Sequence, residues 1–278
     1  MSSPGALITI AIPTYNRCDE LARCLKSCVT HAPDCPIIVV DDGGSDGTDL
    51  MIRDNFPGIV YLRSDMNRGP GHARNLAFAA AKTEYVAFFD SDVVLDPGWY
   101  EAAGGRLSPD TILAGRVEQP EGKLEIGPRK MMPWGGSLPC RREASANVAS
   151  SNNMVVPVGV YKKVGGFDEF LGIYFEDSYF CICARRAGIK VRYVDKAKVV
   201  HFHNSFFNVD RKRRQVRNRS FAMTRSSRNP LAMAVLQSAV TMVEICFLLA
   251  VGRYLGAGAC FAGLMSGLRE GVTSKGTC

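Results

Sequence analysis

The chain has 278 residues, 46% hydrophobic, 22% charged and 9% aromatic. That is the balance of an ordinary globular protein, at a length where single cores begin to divide into domains. It excludes a disordered chain, a collagen-like fibre and a disulfide-dense mini-protein. The 34 Lys and Arg against 27 Asp and Glu give a net charge of +7. Eight of those cations lie between Arg211 and Arg228, where there is no acid, and the rest of the chain is nearly balanced. The basicity is therefore one local patch and not a nucleic-acid-binding surface. The ten cysteines contain no C-x-x-C pair, and residues 1–5 are short and polar where a secretory signal would be apolar. Reduced, mostly buried cysteines in a cytoplasmic protein are expected.

The first hundred residues alternate strand and helix signals. Residues 7–12 are an apolar strand that Pro13 should stop, and Leu21, Cys24, Leu25, Cys28 and Val29 then repeat at helical spacing behind Asp19 as N-cap. Ile37-Ile38-Val39-Val40 is a buried strand ending at Asp41-Asp42-Gly43-Gly44, with a helix predicted after Ser45 to about Phe56. Residues 59–62 form a third strand, Gly69-Pro70-Gly71 opens a helix through Ala80, and residues 85–89 form a fourth strand ending in Asp90-Ser91-Asp92. Continuous apolar strands between helices predict an α/β fold with a largely parallel sheet covered on both faces. Ligands of such sheets bind at the carboxyl ends of the strands. The polar clusters at 13–16, 41–42 and 90–92 should therefore share one site.

Residues 119–151 lose periodicity, the pattern of a functional lid or a disordered segment, with a lone Trp134. Order returns at Met154-Val155-Val156, with a turn at Gly165-Gly166, a helix over about 176–187, and strands at 191–194 and 199–203. From Leu231 to Gly252 the only charge is Glu244, a length sufficient to span a bilayer. Gln237, Ser238, Thr241 and Glu244 nevertheless share one helical face, so packing on the protein and lying at a membrane interface are both open.

Asp90-Ser91-Asp92 puts two carboxylates where a buried strand meets solvent, the oxygen donors that Mg²⁺ or Mn²⁺ prefer, although such pairs also occur in surface turns. Asp41-Asp42 suits a helix cap or a base and ribose. The helix start at Gly69-Pro70-Gly71 favours anions, with Arg74 close by.

Together these segments resemble the family 2 glycosyltransferases, inverting enzymes of the GT-A fold. The likeness is carried by Ile12-Pro13-Thr14-Tyr15-Asn16-Arg17, Val40-Asp41-Asp42-Gly43-Gly44-Ser45, Asn67-Arg68-Gly69-Pro70-Gly71, Phe89-Asp90-Ser91-Asp92, Gly165-Gly166-Phe167-Asp168-Glu169, Glu176-Asp177 and Arg217-Asn218. It implies a Rossmann-like, mostly parallel mixed sheet flanked by helices, with a C-terminal helical extension. Three regions follow: 1–103 for the nucleotide sugar, 104–208 for acceptor and catalysis, and 209–278 as basic and apolar helices. Pro13, Tyr15, Asp42, Arg74 and Asp90 would hold the donor, and Asp92, Asp90 and His201 a Mn²⁺ or Mg²⁺ ion, with His203 the rival ligand. Asp177 would be the catalytic base and Glu176 would orient the acceptor. The implied reaction is non-processive, metal-dependent inverting transfer from a UDP-linked or related sugar to a hydroxyl acceptor, since the Gln-x-x-Arg-Trp signature of processive synthases is absent. A sugar nucleotidyltransferase and an inactive scaffold on this fold are the alternatives. The C-terminal helices are expected to meet a membrane peripherally or a second copy of the chain.

Overall fold

The computed structural model describes residues 7–202 and 208–273. Strand β1 (Ile8–Thr14) leads to α1 (Cys18–His31), β2 (Ile37–Asp41), α2 (Thr48–Asn55), β3 (Val60–Arg63), α3 (Pro70–Ala80) and β4 (Tyr85–Phe88). The four strands pair in parallel in the order β3-β2-β1-β4. Ile8, Ile10 and Ile12 bury one face of β1 against Leu21, Cys24 and Leu25 of α1, while Ala11, Val40 and Phe88 pack on Ala73 and Ala77 of α3. Apolar runs on both faces are what two helical covers demand.

Three boundaries differ from expectation, each for a local reason. β1 continues through Pro13: pairing with β4 ends at Ala11–Phe88, so the missing N–H falls where the ladder has already stopped. α1 starts at Cys18, ahead of Asp19, because the Asp46 carboxylate accepts the Cys18 N–H at 2.7 Å. The same carboxylate accepts from the Thr48 hydroxyl at 2.7 Å, and Gly47 turns at φ +83°, which delays α2 to Thr48.

The second half adds β5 (Val93–Leu95), α4 (Trp99–Gly104), β6 (Thr111–Glu118), β7 (Leu124–Ile126), β8 (Arg129–Met131), β9 (Ser137–Pro139), β10 (Met154–Pro157), α5 (Val158–Val164), α6 (Glu176–Arg186) and β11 (Lys190–His201). β10 inserts antiparallel between β4 and β6, β11 lies parallel to β6, and β5 runs antiparallel to β11. The sheet β3-β2-β1-β4-β10-β6-β11-β5, with β7 on β6, is mixed, as expected, with six of its nine strands running in one direction and β5, β7 and β10 against them. Residues 119–151 are not a structureless lid, for β7 joins the main sheet and β8 pairs with β9. The two late strands are one, β11, with an irregularity between Val194 and Lys198. His203 lies outside the described residues. Cys24, Cys28, Cys35, Cys181 and Cys260 are free and buried.

Three helices follow: α7 (Val209–Arg225), α8 (Pro230–Ala250) and α9 (Tyr254–Thr273). α9 lies on α7 through glycines. A β-carbon at Gly263, Gly267 or Gly271 would stand 2.3, 2.2 or 3.0 Å from the carbonyl oxygens of Arg213, Arg217 and Phe221. The polar stripe of α8 turns inward, where Arg219 donates to Gln237 at 3.3 Å, to Thr241 at 3.2 Å and to Glu244 at 2.5 Å. Gln237 and Thr241 are fully buried. The stripe therefore satisfies a buried guanidinium, and the apolar side of α8 is left facing outward.

Candidate active site

The ends of β1, β2, β4 and β11 and the entry to β10 surround a cavity of about 1020 Å³. It is at the large end for small-molecule sites. All nine predicted site residues line it: Pro13, Tyr15, Asp42, Arg74, Asp90, Asp92, Glu176, Asp177 and His201.

At one end, the adjacent acids of β2 divide their work. Asp41 is structural, accepting from the Gly44 N–H at 2.6 Å and the Tyr61 hydroxyl at 2.8 Å. Asp42 lines the cavity, and its Oδ2 accepts from the backbone of Arg68 at 3.0 Å and Gly69 at 2.6 Å. Its Oδ1 is buried with no hydrogen-bond partner among the described residues. Glycine is required at 69, where φ is +93° and a β-carbon would lie 2.9 Å from the Gly172 backbone.

The antiparallel pairing of β5 with β11 brings the D-x-D turn to the late histidine, setting His201 opposite Val93. One donor atom each from Asp90, Asp92 and His201 lie within 4.8 Å of one another. His201 Nε2 is 3.2 Å from Asp92 Oδ1, and its Nδ1 is 3.0 Å from Glu125 Oε1. Arg17 pairs with Asp92 from the other side. Burial alone would raise the Asp92 carboxyl, but His201 and Arg17 hold it down at about 2. Burial would lower the imidazole, yet Asp92 and Glu125 push it up to about 10. Two carboxylates and an imidazole suit Mn²⁺ or Mg²⁺, and the guanidinium pressed on Asp92 shows that this spot calls for positive charge. Glu125 would fix the imidazole's orientation when its other nitrogen binds a metal.

Arg74, almost wholly buried, links the two acidic centres: Nη2 meets Asp90 Oδ1 at 2.9 Å and Nη1 meets Glu176 Oε1 at 2.8 Å. Burial and the neighbouring Asp177 push Glu176 up to about 7, and Arg74 pulls it back. Its Oε2 is buried without a hydrogen-bond partner among the described residues. Asp177, in the first turn of α6, accepts from the Ser151 N–H at 3.2 Å and the Ser178 N–H at 2.5 Å.

The loop before α6 is strained. Tyr174 and Phe175 both have φ +74°, a region L-residues rarely adopt. Asn218 of α7 holds it: its buried amide donates toward the carbonyls of Leu171 at 2.7 Å, Ile173 at 3.0 Å and Tyr174 at 2.7 Å. Sequence reasoning gave no role to Glu125, Asn218 or Arg17. Arg17 and Asn218 at least stood inside recognised segments, whereas Glu125 offered no signal in its polar surroundings.

Residues 9–165 match the family model described as Glycosyl transferase family 2. The chain belongs to that family. A Mycobacterium tuberculosis protein, "Pre-mycofactocin glycosyltransferase", is 30% identical over 217 residues, which are 71% of this chain and 43% of that relative. The chain thus spans less than half the length of this relative. The mannosyltransferase of Pyrobaculum calidifontis, solved with GDP-Man and Mn²⁺, is 16% identical with a TM-score of 0.62, over 94% of this chain and 87% of that one. S. aureus TarS 1–349 with UDP-GlcNAc is 15% identical with a TM-score of 0.58, over 84% of this chain and 70% of that one. At those identities the likeness concerns the fold, which is GT-A.

Proposed function

We propose that this family 2 protein transfers a sugar from a nucleoside diphosphate, UDP in preference, to a hydroxyl acceptor with inversion, one transfer at a time. One observation carries the reading: a single cavity holds the Asp90–Asp92–His201 donor triangle and the first-turn carboxylate of α6. Asp42 has one oxygen committed to two backbone amides and the other without a partner. A single vacant acceptor suits the one N3–H of uracil better than the two-donor edge of guanine. Tyr15 and Pro13 line the same end and would flank the base.

Asp92, Asp90 and His201 would hold Mn²⁺ or Mg²⁺, whose charge would stabilise the departing diphosphate. Arg74 keeps Asp90 in place while its own charge is shared with Glu176. Asp177 takes the proton of the attacking hydroxyl, its carboxylate fixed by the Ser151 and Ser178 amides. Glu176, with one buried oxygen unpartnered, orients the acceptor. Inversion follows if the hydroxyl attacks opposite the leaving diphosphate, and the anomeric signal in proton NMR of the product reads it.

The deciding experiment screens nucleotide sugars for metal-dependent turnover, then repeats it with Asp177→Asn. That variant should bind UDP and metal normally and lose at least about 10²-fold in transfer, the lower end for a general base. Near-normal transfer with Asp177→Asn, alongside loss with Glu176→Gln, would assign the base to the wrong carboxylate. No turnover of any nucleotide sugar, despite normal binding, would leave a scaffold.

A further inference from the structure

We propose that the outer side of the α8–α9 hairpin is a docking surface for an anionic lipid bilayer. Twelve of the 24 exposed large apolar side chains among the described residues lie on this hairpin and its turn, including Val235, Val243, Phe247, Leu255 and Phe261. Between Arg228 and Arg269 the sequence has only two charges, Glu244 and Arg253. Glu244 faces inward to Arg219 and Lys212, so α8 presents no charge outward. An apolar face of this extent exceeds the scattered side chains that a soluble monomer normally leaves exposed.

Charge selects the occupant. The glycine contacts of α9 advance in step with α7, 263 with 213, 267 with 217 and 271 with 221, so the two helices run parallel with a constant offset. Tyr254 then lies level with a point five residues before Val209, and the α8–α9 turn projects about 8 Å beyond the first turn of α7 at 1.5 Å per residue. That apolar end, with Phe247, Val251, Tyr254 and Leu255 exposed, projects past the basic run Arg211-Lys212-Arg213-Arg214, which lies level with α9 from its second turn onward. The run stays net positive after Lys212 pairs with Glu244 and Arg213 and Arg214 share Asp210. Anionic headgroups above an apolar layer complement both features at once, with the apolar side of the hairpin lying in the interface and its turn reaching past the start of α7. A second copy would bring the same net positive run, since Asp210 and Glu244 offset only two of its four cations.

Arg211, Lys212 and Arg214 also line the reaction cavity. A docked bilayer would set the cavity mouth at the headgroup layer, where a membrane-borne hydroxyl could enter. This consequence rests on the transferase reading, whereas docking itself needs neither donor nor metal.

Flotation of the full chain with vesicles tests the proposal, using phosphatidylcholine alone and with about one third phosphatidylglycerol. The protein should float with the anionic vesicles and more weakly with neutral ones, and salt should reduce but not abolish binding. The double variant Val243→Glu/Phe247→Glu should lose flotation at least tenfold while keeping its thermal transition and its affinity for UDP. Should that variant fold poorly, an environment-sensitive dye on Cys246, an exposed free thiol of α8, gives a second readout: vesicles should shift its emission to the blue. Wild-type protein that stays unbound on anionic vesicles, with no dye shift, overturns the proposal. A vesicle-free dimer that the double variant dissociates would do the same, by naming a second copy as the occupant. Unchanged donor turnover in either case would leave the transferase reading standing.

Discussion

Asn218→Ala removes the side chain that holds the strained loop in front of Asp177. The amide has two hydrogens for three carbonyls, with the shortest contacts, at 2.7 Å, to Leu171 and Tyr174. Two buried bonds at roughly 0.5–1.5 kcal/mol each contribute about 1–3 kcal/mol. Against them stand Tyr174 and Phe175 at φ +74°. Left-handed backbone at a side-chain-bearing residue costs about 1–2 kcal/mol, so the pair stores about 2–4 kcal/mol. The two quantities are of one size, and without Asn218 the loop should relax instead of the whole domain unfolding. Relaxation recovers part of the strain, so urea denaturation should show a loss of about 1 kcal/mol, less than the two bonds alone contribute. UDP affinity should hold while kcat for transfer falls tenfold or more, because Asp177 is no longer presented. Tyr174→Gly in the Asn218→Ala background should restore part of the stability, since glycine tolerates positive φ. Stability within about 0.5 kcal/mol of wild type, with unchanged kcat, would refute the role of Asn218.

Other predictions concern the remaining contacts. In EDTA, His201 is an imidazole raised to about 10 between two acids. Its stabilisation should be complete below its unfolded value near 6.5 and fade as pH rises toward 10, and His201→Gln should flatten that part of a Tm-against-pH curve. Arg17→Gln removes a cation that competes for Asp92, so Mn²⁺ binding followed by calorimetry should tighten; weaker binding would show that Arg17 assists the ion. Gly267→Leu would force a β-carbon to within 2.2 Å of the Arg217 carbonyl oxygen and should lower Tm by several degrees, whereas a substitution at Gly258, which faces open space, should cost far less.

The donor-side half of the fold was legible because its strands are unbroken apolar runs and each ends in a polar cluster. Those clusters meet because parallel strands put their carboxyl ends on one edge. β6 was missed for a physical reason: Gly115 and Arg116 interrupt its pattern. A β-carbon at Gly115 would stand 2.1 Å from the Asn153 amide and 2.4 Å from the Ala197 carbonyl, so a residue that looks like a strand breaker is there to admit Asn153. Glu125 was invisible for another reason. Its partner His201 is 76 residues away, and only the placement of β7 beside the main sheet brings them together. The inward polar stripe of α8 was legible as a pattern, but its target, Arg219, sits on a neighbouring helix whose packing no periodicity reveals.

The two faces of α7 have a practical consequence for anyone seeking a more tractable fragment. The obvious cut, after residue 228, would discard the apolar hairpin and keep every residue of the D-x-D and Glu-Asp segments. It would also take Gln237, Thr241 and Glu244 from Arg219 in one stroke, and expose the α7 carbonyls that the α9 glycines cover. Asn218 is the next residue along the same helix, so the damage would reach the loop that leads into Asp177. The truncation that makes the protein easier to handle would thus be expected to dismantle the reaction centre it was meant to isolate, and detergent or lipid added to the whole chain is the sounder route.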